Sequence, residues 1–336
     1  GLLMSNSFRT PVNVNPFPFS IDYHTPTMLL GSCFTENVGG AMLTRKFPAM
    51  VNPFGVIYNP ISVSLVLKRI IEGSLYKNND LLFHNNLWLS LNHHTSFSSA
   101  SQSGCIEAIN SSLDSAHQFW HKTQRLIVTF GTARVYYYNK TGKPVANCHK
   151  IPAREFTHKL LSVEEIVNEW ALLLSKIEKI KPEVKIILTV SPVRHWKDGP
   201  EGNQLSKATL ILAINRLLEL YPKTAFYFPS YEIMMDDLRD YRFYANDMLH
   251  PSALAIEYIW EKFKHSLIGQ SAQSTLSEVE KINQAINHRP FNTQSDDFKA
   301  FVNKTLRRIE QLAEQNPTLS FSEEIETLNQ YICNSH

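Results

Sequence analysis

Short apolar runs alternate with amphipathic stretches along the chain, most clearly over residues 125–268. The run RLIVTFGT (125–132) is rich in β-branched residues and ends near a glycine, which is typical of a buried strand. The following stretch, SVEEIVNEWALLLSKIEKIKP, begins with Ser162 and Glu165 at capping-box spacing and then carries apolar residues at helical spacing. The alternation continues with a strand over 184–193, a helix over 206–222, a strand from 224 and a helix that Pro251 opens.

The flanking regions are less regular. The apolar run before GSCFTENVG (31–39) predicts a strand, a tight turn and the start of a helix. Between 60 and 125 the pattern predicts one helix, over 61–73, and we interpret the polar segment 90–104 as an irregular insertion near the ligand crevice. Beyond Ser271 the chain turns polar and helical, as in DDFKAFVNKTLRRIEQLAEQ (296–315).

This order of elements predicts an α/β fold with three layers, a doubly wound, mostly parallel sheet between two layers of helices. We expect that domain to span residues 1–268 and a C-terminal helical appendage to span 269–336. Ligands of such sheets bind beyond the carboxyl ends of the strands. That rule selects residues 32–33, 131–134, 191–195 and the loop 246–250.

Composition narrows the classes of function. The 336 residues are 43% hydrophobic, with 33 basic and 31 acidic side chains, so nucleic acid is not an expected partner. No apolar run approaches the ~20 residues that span a bilayer, and GLLMSNSFRT has no pattern of a secretory signal. A signal removed before Gly1 remains an alternative to the cytoplasmic location that we expect.

The cysteines and histidines give no support to a metal site or a cofactor. Cys33, Cys105, Cys148 and Cys333 form no C-x-x-C pair, and no H-E-x-x-H occurs. Few, scattered cysteines in a large chain fit a reducing compartment. We therefore expect neither a metal nor a cofactor.

Two short stretches carry candidate chemistry. Asp247 and His250 form D-x-x-H before the last predicted helix, where the carboxylate would orient an imidazole that takes a proton from a nucleophile. The structural alternative is that Asp247 caps that helix and His250 packs at the surface. Ser32 and Cys33 stand side by side at the first strand end, and either could be that nucleophile or a packing residue.

Several stretches resemble, in order along the chain, the motifs of the GSCFA family. The first is LGSCFTEN (30–37), with Thr35 in place of the usual alanine. The others are NPFGVIYNP (52–60), FGTARVYY (130–137), NCHK (147–150), SPVRHWKDG (191–199) and YRFYANDMLHPS (241–252). The resemblance covers residues 8–265 and implies the fold of the SGNH, or GDSL-type, hydrolases with which that family is grouped.

The resemblance also implies roles. A gap-free match to G-D-S-L-T puts Cys33 in the nucleophile position, whereas a one-residue gap puts Ser32 there; we favour Cys33, because a helix N-terminus should make its thiol ionise more readily. His250 would be the base, with a ring nitrogen about 3–4 Å from the nucleophile, and Asp247 would orient it. Gly55 would offer a backbone N–H to the oxyanion.

One position departs from the superfamily. The asparagine of G-x-N-D, which donates to the oxyanion, is replaced by Ala133, and losing one such donor typically costs ~10²–10³ in rate. Several side chains near predicted strand ends could replace it or bind substrate, although each one taken singly is better explained as part of a salt bridge or as a loop anchor: Asn52, Thr132, Arg134, Asn147, Arg194 and His195.

Three functions remain open on these grounds. The first is an esterase that acts on a small-molecule or glycan ester through an acyl-enzyme, or an acyltransferase of the same fold. The second is a degenerate hydrolase that only binds a carbohydrate or acyl ligand, which the alanine at 133 favours. The third is an interaction protein whose C-terminal helices recruit a partner or a second copy of the chain. Membranes are not an expected partner.

Overall fold

A five-stranded parallel sheet lies at the centre of the molecule. The computed structural model describes residues 8–288 and 295–333. Their strands are, in chain order, β1 (Thr27–Gly31), β2 (Ala49–Val51), β3 (Leu82–His84), β4 (Leu87–Leu89), β5 (Arg125–Phe130), β6 (Arg134–Tyr138), β7 (Pro144–Val145), β8 (Phe156–Leu160), β9 (Lys185–Val190) and β10 (Ala225–Phe228). The central sheet has the order β10-β9-β5-β1-β2, and every adjacent pair is parallel.

Helices cover both faces of this sheet. In chain order they are α1 (Cys33–Thr44), α2 (Pro60–Glu72), α3 (Gln102–Lys122), α4 (Val163–Ile180), α5 (Gly199–Leu220), α6 (Ser230–Glu232), α7 (Ala253–Leu267), α8 (Gln270–Asn287), α9 (Asp296–Gln315) and α10 (Ser322–Cys333). Helices α2, α3, α4 and α5 pack in one apolar cluster with the sheet, while α1, α7 and the first turns of α8 pack in a second. The predicted three-layer, mostly parallel α/β fold is confirmed.

The strand order identifies where a ligand crevice should open. From β1 the chain moves outward to β2 on one side and then returns to build β5, β9 and β10 on the other. The order therefore reverses between β1 and β5. In open parallel sheets the crevice at such a reversal, beyond the carboxyl ends of the strands, is where ligands bind.

Local sequence signals explain several helix starts. Ser162 caps α4 by accepting from the N–H of Glu165 at 3.1 Å, and Glu165 accepts from the N–H of Ser162 at 3.2 Å, so the predicted capping box is confirmed. Helix α5 begins at Gly199 rather than 206, because Pro200 is tolerated in a first turn, where no backbone donor is needed. Ser252, rather than Pro251, directly precedes the last sheet-covering helix, α7.

Two regions hold more regular structure than their sequences predict. Helix α3 lies in the stretch where we expected no second helix. Its buried residues recur at spacings of three and four, but serine and asparagine between them obscure the pattern: Cys105, Ile109, Leu113, Ala116 and Trp120. Strands β6, β7 and β8 form a separate antiparallel sheet that also went unpredicted.

The C-terminal helices have a small core of their own. Buried residues of α8, α9 and α10 form it, among them Val279, Val302 and Leu328. Helix α8 belongs to two cores, because Ala272 and Leu276 pack with α1 and α7 instead. Within residues 8–288 and 295–333, no helix is both long enough and apolar enough to cross a membrane. The predicted domain boundary at 268 remains a prediction.

Candidate functional site

The turn after β1 presents the first candidate residues. Gly31 has φ +140°, and a Cβ there would lie 2.1 Å from the carbonyl oxygen of Thr129 on the neighbouring strand β5, so only glycine fits. Its N–H donates to the side-chain oxygen of Asn52 at 2.9 Å. The chain then turns sharply, with Ser32 preceding α1 and Cys33 as the first residue of that helix.

Ser32 and Cys33 occupy different environments. Ser32 is fully buried, its hydroxyl has no hydrogen-bond partner, and it lies against Gly131. Cys33 is half-buried and lines a cavity of about 550 Å³ at the carboxyl edge of the sheet, a volume ordinary for a small-molecule site. His250 lines the same cavity. The geometry therefore favours Cys33 over Ser32 as the nucleophile candidate.

The surroundings of Cys33 have opposing effects on the pKa of its thiol. Burial raises the pKa of its thiol above the ordinary value and outweighs the opposing influences. Those influences are the N–H groups of Cys33 and Phe34 at the start of α1, the ammonium of Lys207 and the hydroxyl of Tyr58. The expectation that this thiol ionises more readily than usual is thus wrong, since desolvation is the larger effect.

Asp247 and His250 form a hydrogen-bonded pair in a tight loop. The ring Nδ1 of His250 lies 2.5 Å from a carboxylate oxygen of Asp247, whose other oxygen accepts from the N–H groups of Leu249 and His250, both at 2.9 Å. These N–H groups and the imidazole lower the pKa of Asp247 to about 2. Asp247 does not cap α7, because Ser252 accepts the hydrogen bond from Ala255 at 3.2 Å.

Within residues 8–288, the base candidate His250 and the nucleophile candidate Cys33 line one cavity without a hydrogen bond between them. The predicted distance of about 3–4 Å between the His250 ring and the nucleophile stays a prediction. Half of the His250 side chain is exposed, at 51%.

The other predicted residues divide into two groups. One group lines the cavity: Thr132, Arg134, Asn147, Arg194 and His195. Gly55 and Asn52 are not among the lining residues, and their donors are already used. The N–H of Gly55 donates to the carbonyl of Asn52 at 2.9 Å, and the amide of Asn52 donates to Glu36 at 3.1 Å. We therefore assign neither of them to the oxyanion.

His195 is our candidate to replace the oxyanion donor that is lost with the asparagine at position 133. Its Nε2 is buried beside Gly131, where it would lie 3.4 Å from a Cβ; no well-formed hydrogen bond holds it, although the Gly131 backbone is near enough to raise the pKa of the ring. Burial, with smaller contributions from the neighbouring Lys207 and His250, lowers its pKa to about 4, so the ring is neutral near pH 7. Its backbone N–H donates to Asn203 at 2.8 Å, which fixes the loop. A neutral imidazole can donate one N–H, as the absent asparagine would.

Lys207 is a buried charge that our sequence analysis missed. Its side chain is fully buried, and its Nζ donates to the carbonyls of Gly131 and Ser191, both at 2.8 Å. Burial and the charge of Arg194 lower its pKa to about 7. A signal was present, because Lys207 precedes Leu210, Ala213 and Ile214 on the buried stripe of α5.

Tyr58 is a second residue that sequence reasoning missed. Its hydroxyl hydrogen-bonds to Cys33, and its ring meets that of His195 edge to face at 5.9 Å. Its carbonyl accepts from the N–H groups of Gly131 and Thr132 at 2.8 and 3.0 Å. Tyr58 thus connects the turn after β5 to the helix start after β1.

The remaining wall is polar and aromatic. It includes Tyr136, Cys148, His158, Trp196, Lys197 and Asp198. The rings of Tyr136 and His158 are stacked at 4.2 Å, and Arg134 pairs with Asp198 at 3.1 Å. Among the side chains of residues 8–288 and 295–333, no group of three or more His, Cys, Asp or Glu could hold a metal ion.

Models of one protein family match most of the chain. The GSCFA family model matches residues 26–263, and the model of the GSCFA domain protein, C-terminal domain, matches residues 279–333. No curated protein matches the chain. A Streptococcus pneumonia structure, described provisionally as a platelet activating factor, is 13% identical at a TM-score of 0.36 and covers 72% of this chain and 83% of its own. An acetyl xylan esterase from the rumen bacterium Butyrivibrio proteoclasticus is 13% identical at 0.35, with 72% and 62% covered.

Proposed function

Because the chain belongs to the GSCFA family, we propose that it is an ester hydrolase that acts through a Cys33 acyl-enzyme. One observation carries the proposal. Cys33, at the start of a helix, and His250, held by Asp247, line the same cavity where the strand order reverses. A nucleophile, a base and a group that orients the base are the parts of an acyl-transfer site.

In the first step, Cys33 attacks the ester carbonyl while His250 removes the thiol proton. The raised pKa of Cys33 keeps the thiol protonated near pH 7, so the base must act during the attack. With Nδ1 bonded to Asp247, the Nε2 of His250 is the nitrogen that accepts the proton. The carboxylate then stabilises the imidazolium without taking the proton itself.

The negative charge that develops on the carbonyl oxygen needs donors. The N–H groups of Cys33 and Phe34 lie at the free N-terminus of α1 and already face the sulfur, and His195 supplies a side-chain donor in place of the superfamily asparagine. Lys207, behind the turn, adds positive charge without touching the oxygen. We assign Lys207 a positioning role for this reason.

The intermediate then collapses. The bond from carbon to the leaving oxygen breaks, His250 returns the proton to that oxygen, and the alcohol leaves a thioester on Cys33. Water, deprotonated by His250, attacks the thioester, and the sulfur leaves and regains its proton. The net reaction converts ester and water to acid and alcohol. An acceptor hydroxyl in place of water would make the same site an acyltransferase.

Four proteins test the proposal: the wild type, Cys33→Ala, Ser32→Ala and His250→Ala. They are assayed with 4-nitrophenyl acetate and acetylated sugars, and intact-mass spectrometry detects the acetyl-enzyme. We expect Cys33→Ala and His250→Ala to lose roughly 10³-fold or more in rate. Ser32→Ala is the matched control, because its hydroxyl makes no hydrogen bond, and it should stay within about threefold of the wild type.

Two results would count against the proposal in different ways. Activity lost in Ser32→Ala but kept in Cys33→Ala would move the nucleophile to Ser32. Binding of acetylated sugars by the wild type without any turnover or acetyl-enzyme would make the protein a ligand-binding member of the family.

A further inference from the structure

The charge of the cavity is unbalanced. Three cationic side chains line it, Arg134, Arg194 and Lys197, against one carboxylate, Asp198. That carboxylate is engaged with Arg134 at 3.1 Å. Lys207 lies beneath with two carbonyl partners and, among the described residues, no carboxylate beside it, so nothing under the floor offsets the cationic lining. An excess of one charge in a cleft with low-dielectric walls concentrates ligands of the opposite sign.

Arg194 is the clearest unmatched charge. Within residues 8–288 and 295–333, no carboxylate lies within ion-pair distance of its half-buried side chain. The groups that its guanidinium contacts are uncharged: the sulfur of Met235 at 3.2 Å, the ring of Trp196 at 5.6 Å and the hydroxyl of Tyr231. A partly buried guanidinium is normally paired, because its desolvation is costly and its donors match a carboxylate or phosphate.

The backbone holds Arg194 beside the proposed base. Its N–H donates to the carbonyl of Leu249 at 3.3 Å, one residue before His250. Asp247 lies in the groove next to Arg194, but its oxygens are taken by the N–H groups of its own loop and by the His250 ring. Arg194 therefore lines both the cavity and this groove, and no carboxylate of the described residues forms an ion pair with it.

Lys197 adds a second cation on the aromatic part of the wall. Its Nζ donates to the hydroxyl of Tyr136, a neutral partner, and lies 5.0 Å from that ring. Tyr136 stacks on His158, which gives the cavity a flat face beside the charge. A planar or ring-shaped group could rest on this face while an anionic substituent meets Arg194 or Lys197.

We propose that the substrate is an ester that also carries an anionic group, which Arg194 binds with Lys197. That the ligand is an ester rests on the proposed function. That it carries a negative charge follows from the charges of the cavity alone. Neutral esters of similar size should enter the cavity and bind less tightly.

The first test compares two alkylating reagents at Cys33, anionic iodoacetate and neutral iodoacetamide, with labelling mapped by mass spectrometry at pH 9. Exposed Cys333 in the same molecule is the internal reference. We expect the ratio of rate constants, iodoacetate over iodoacetamide, to be about tenfold higher at Cys33 than at Cys333. Added salt should reduce the difference. A ratio at Cys33 no higher than at Cys333 would overturn the proposal.

Substitutions test whether Arg194 and Lys197 cause the preference for the anionic reagent. Arg194→Gln and Lys197→Gln should each lower the ratio at Cys33 by about three- to tenfold, whereas Lys140→Gln, which removes an exposed lysine outside the cavity, should not change it. If Arg194→Gln fails to fold by circular dichroism, Lys197→Gln alone decides, because the Lys197 side chain bonds only at the surface of the wall. An unchanged ratio in the folded variants would refute the assignment.

A second test does not depend on the reactivity of Cys33. In Cys33→Ala, isothermal titration calorimetry compares monomethyl succinate, an anionic ester, with neutral dimethyl succinate. We expect the anion to bind about tenfold more tightly, and Arg194→Gln in that background to remove the preference. Equal binding of the two esters would overturn the proposal. If this preference holds but the wild type turns over no ester, the proposed function is wrong and the anionic ligand class stands. If the wild type turns over esters without a preference for the anion, the proposed function stands and the anionic ligand class is wrong.

Discussion

Replacing the buried lysine should change how stability depends on pH. The pKa of Lys207 in the folded chain is about 7, below its ordinary value of 10.5, because burial disfavours the charged form. Between these values the unfolded chain holds a proton that the folded chain has lost, so the free energy of unfolding rises with pH through this window. Below pH 7 both states are protonated, and the full cost of the buried charge is present.

The expected size follows from these two pKa values. Integrated from pH 7 to pH 9, one such group adds about 2 kcal/mol to the free energy of unfolding. Lys207→Met lacks this increment. The variant also leaves two carbonyls without their donor, at about 1–3 kcal/mol each, but it no longer buries a charge at pH 7. The stability gap, which is the stability of the wild type minus that of Lys207→Met, should therefore rise by about 2 kcal/mol from pH 7 to pH 9.

Urea unfolding, followed by tryptophan fluorescence at both pH values, measures the gap. Comparing two proteins cancels the titration of the buried tyrosines and cysteines, whose raised pKa values act in the opposite direction at high pH in both. Lys185→Met is the matched control, because that lysine also donates to a carbonyl, at 2.8 Å, but from an exposed position. A gap that stays within about 0.5 kcal/mol from pH 7 to pH 9 would refute the assigned titration of Lys207.

Three further predictions follow from the site and the core. Asp247→Asn should lower the turnover of 4-nitrophenyl acetate by up to about 10⁴-fold while KM changes little, because the imidazole of His250 loses its orienting carboxylate; a wild-type rate would refute the pairing. Gly31→Ala should prevent folding or cost several kcal/mol, since its Cβ would lie 2.1 Å from a strand carbonyl, whereas Gly40→Ala, with open space around it, should be neutral or stabilising in the same urea titration. Trp170→Ala should cost about 3–5 kcal/mol by thermal or urea unfolding, because the side chain is fully buried and donates to the carbonyl of Pro60; a cost below 1 kcal/mol would contradict this packing.

The part of the fold with strong periodicity was predictable from the sequence. Strands β5 and β9 and helix α4 have uninterrupted apolar patterns and clear ends, so their order identified the layers of the sheet. Helix α3 was missed because serine and asparagine compete for backbone hydrogen bonds and dilute an apolar stripe that tertiary packing nevertheless stabilises.

The site was predictable in position but not in electrostatics. The rule of strand ends selected residues that the structure brings to one cavity, including Cys33 and His195. The direction of the shift in the pKa of Cys33 depends on burial, which no motif reports. Gly55 does not take the role that the resemblance implies, because its N–H donates to Asn52 within a local turn. Lys207 could not be found from a motif, because it lies on a helix away from all of them.

Helix α8 packs on two cores, so its two halves should lose protection in different unfolding events. Its first turns pack through Ala272 and Leu276 on α7, and its later turns pack through Val279 and Ile282 on the C-terminal core. When α9 and α10 open, the amides of the later turns of α8 lose their cover, while those of the first turns keep the protection of the sheet domain. Amide hydrogen exchange should therefore change rate partway along one continuous helix. The first turns of α8 stay ordered on the sheet domain, so the C-terminal core can fold again from a helix that is already partly formed.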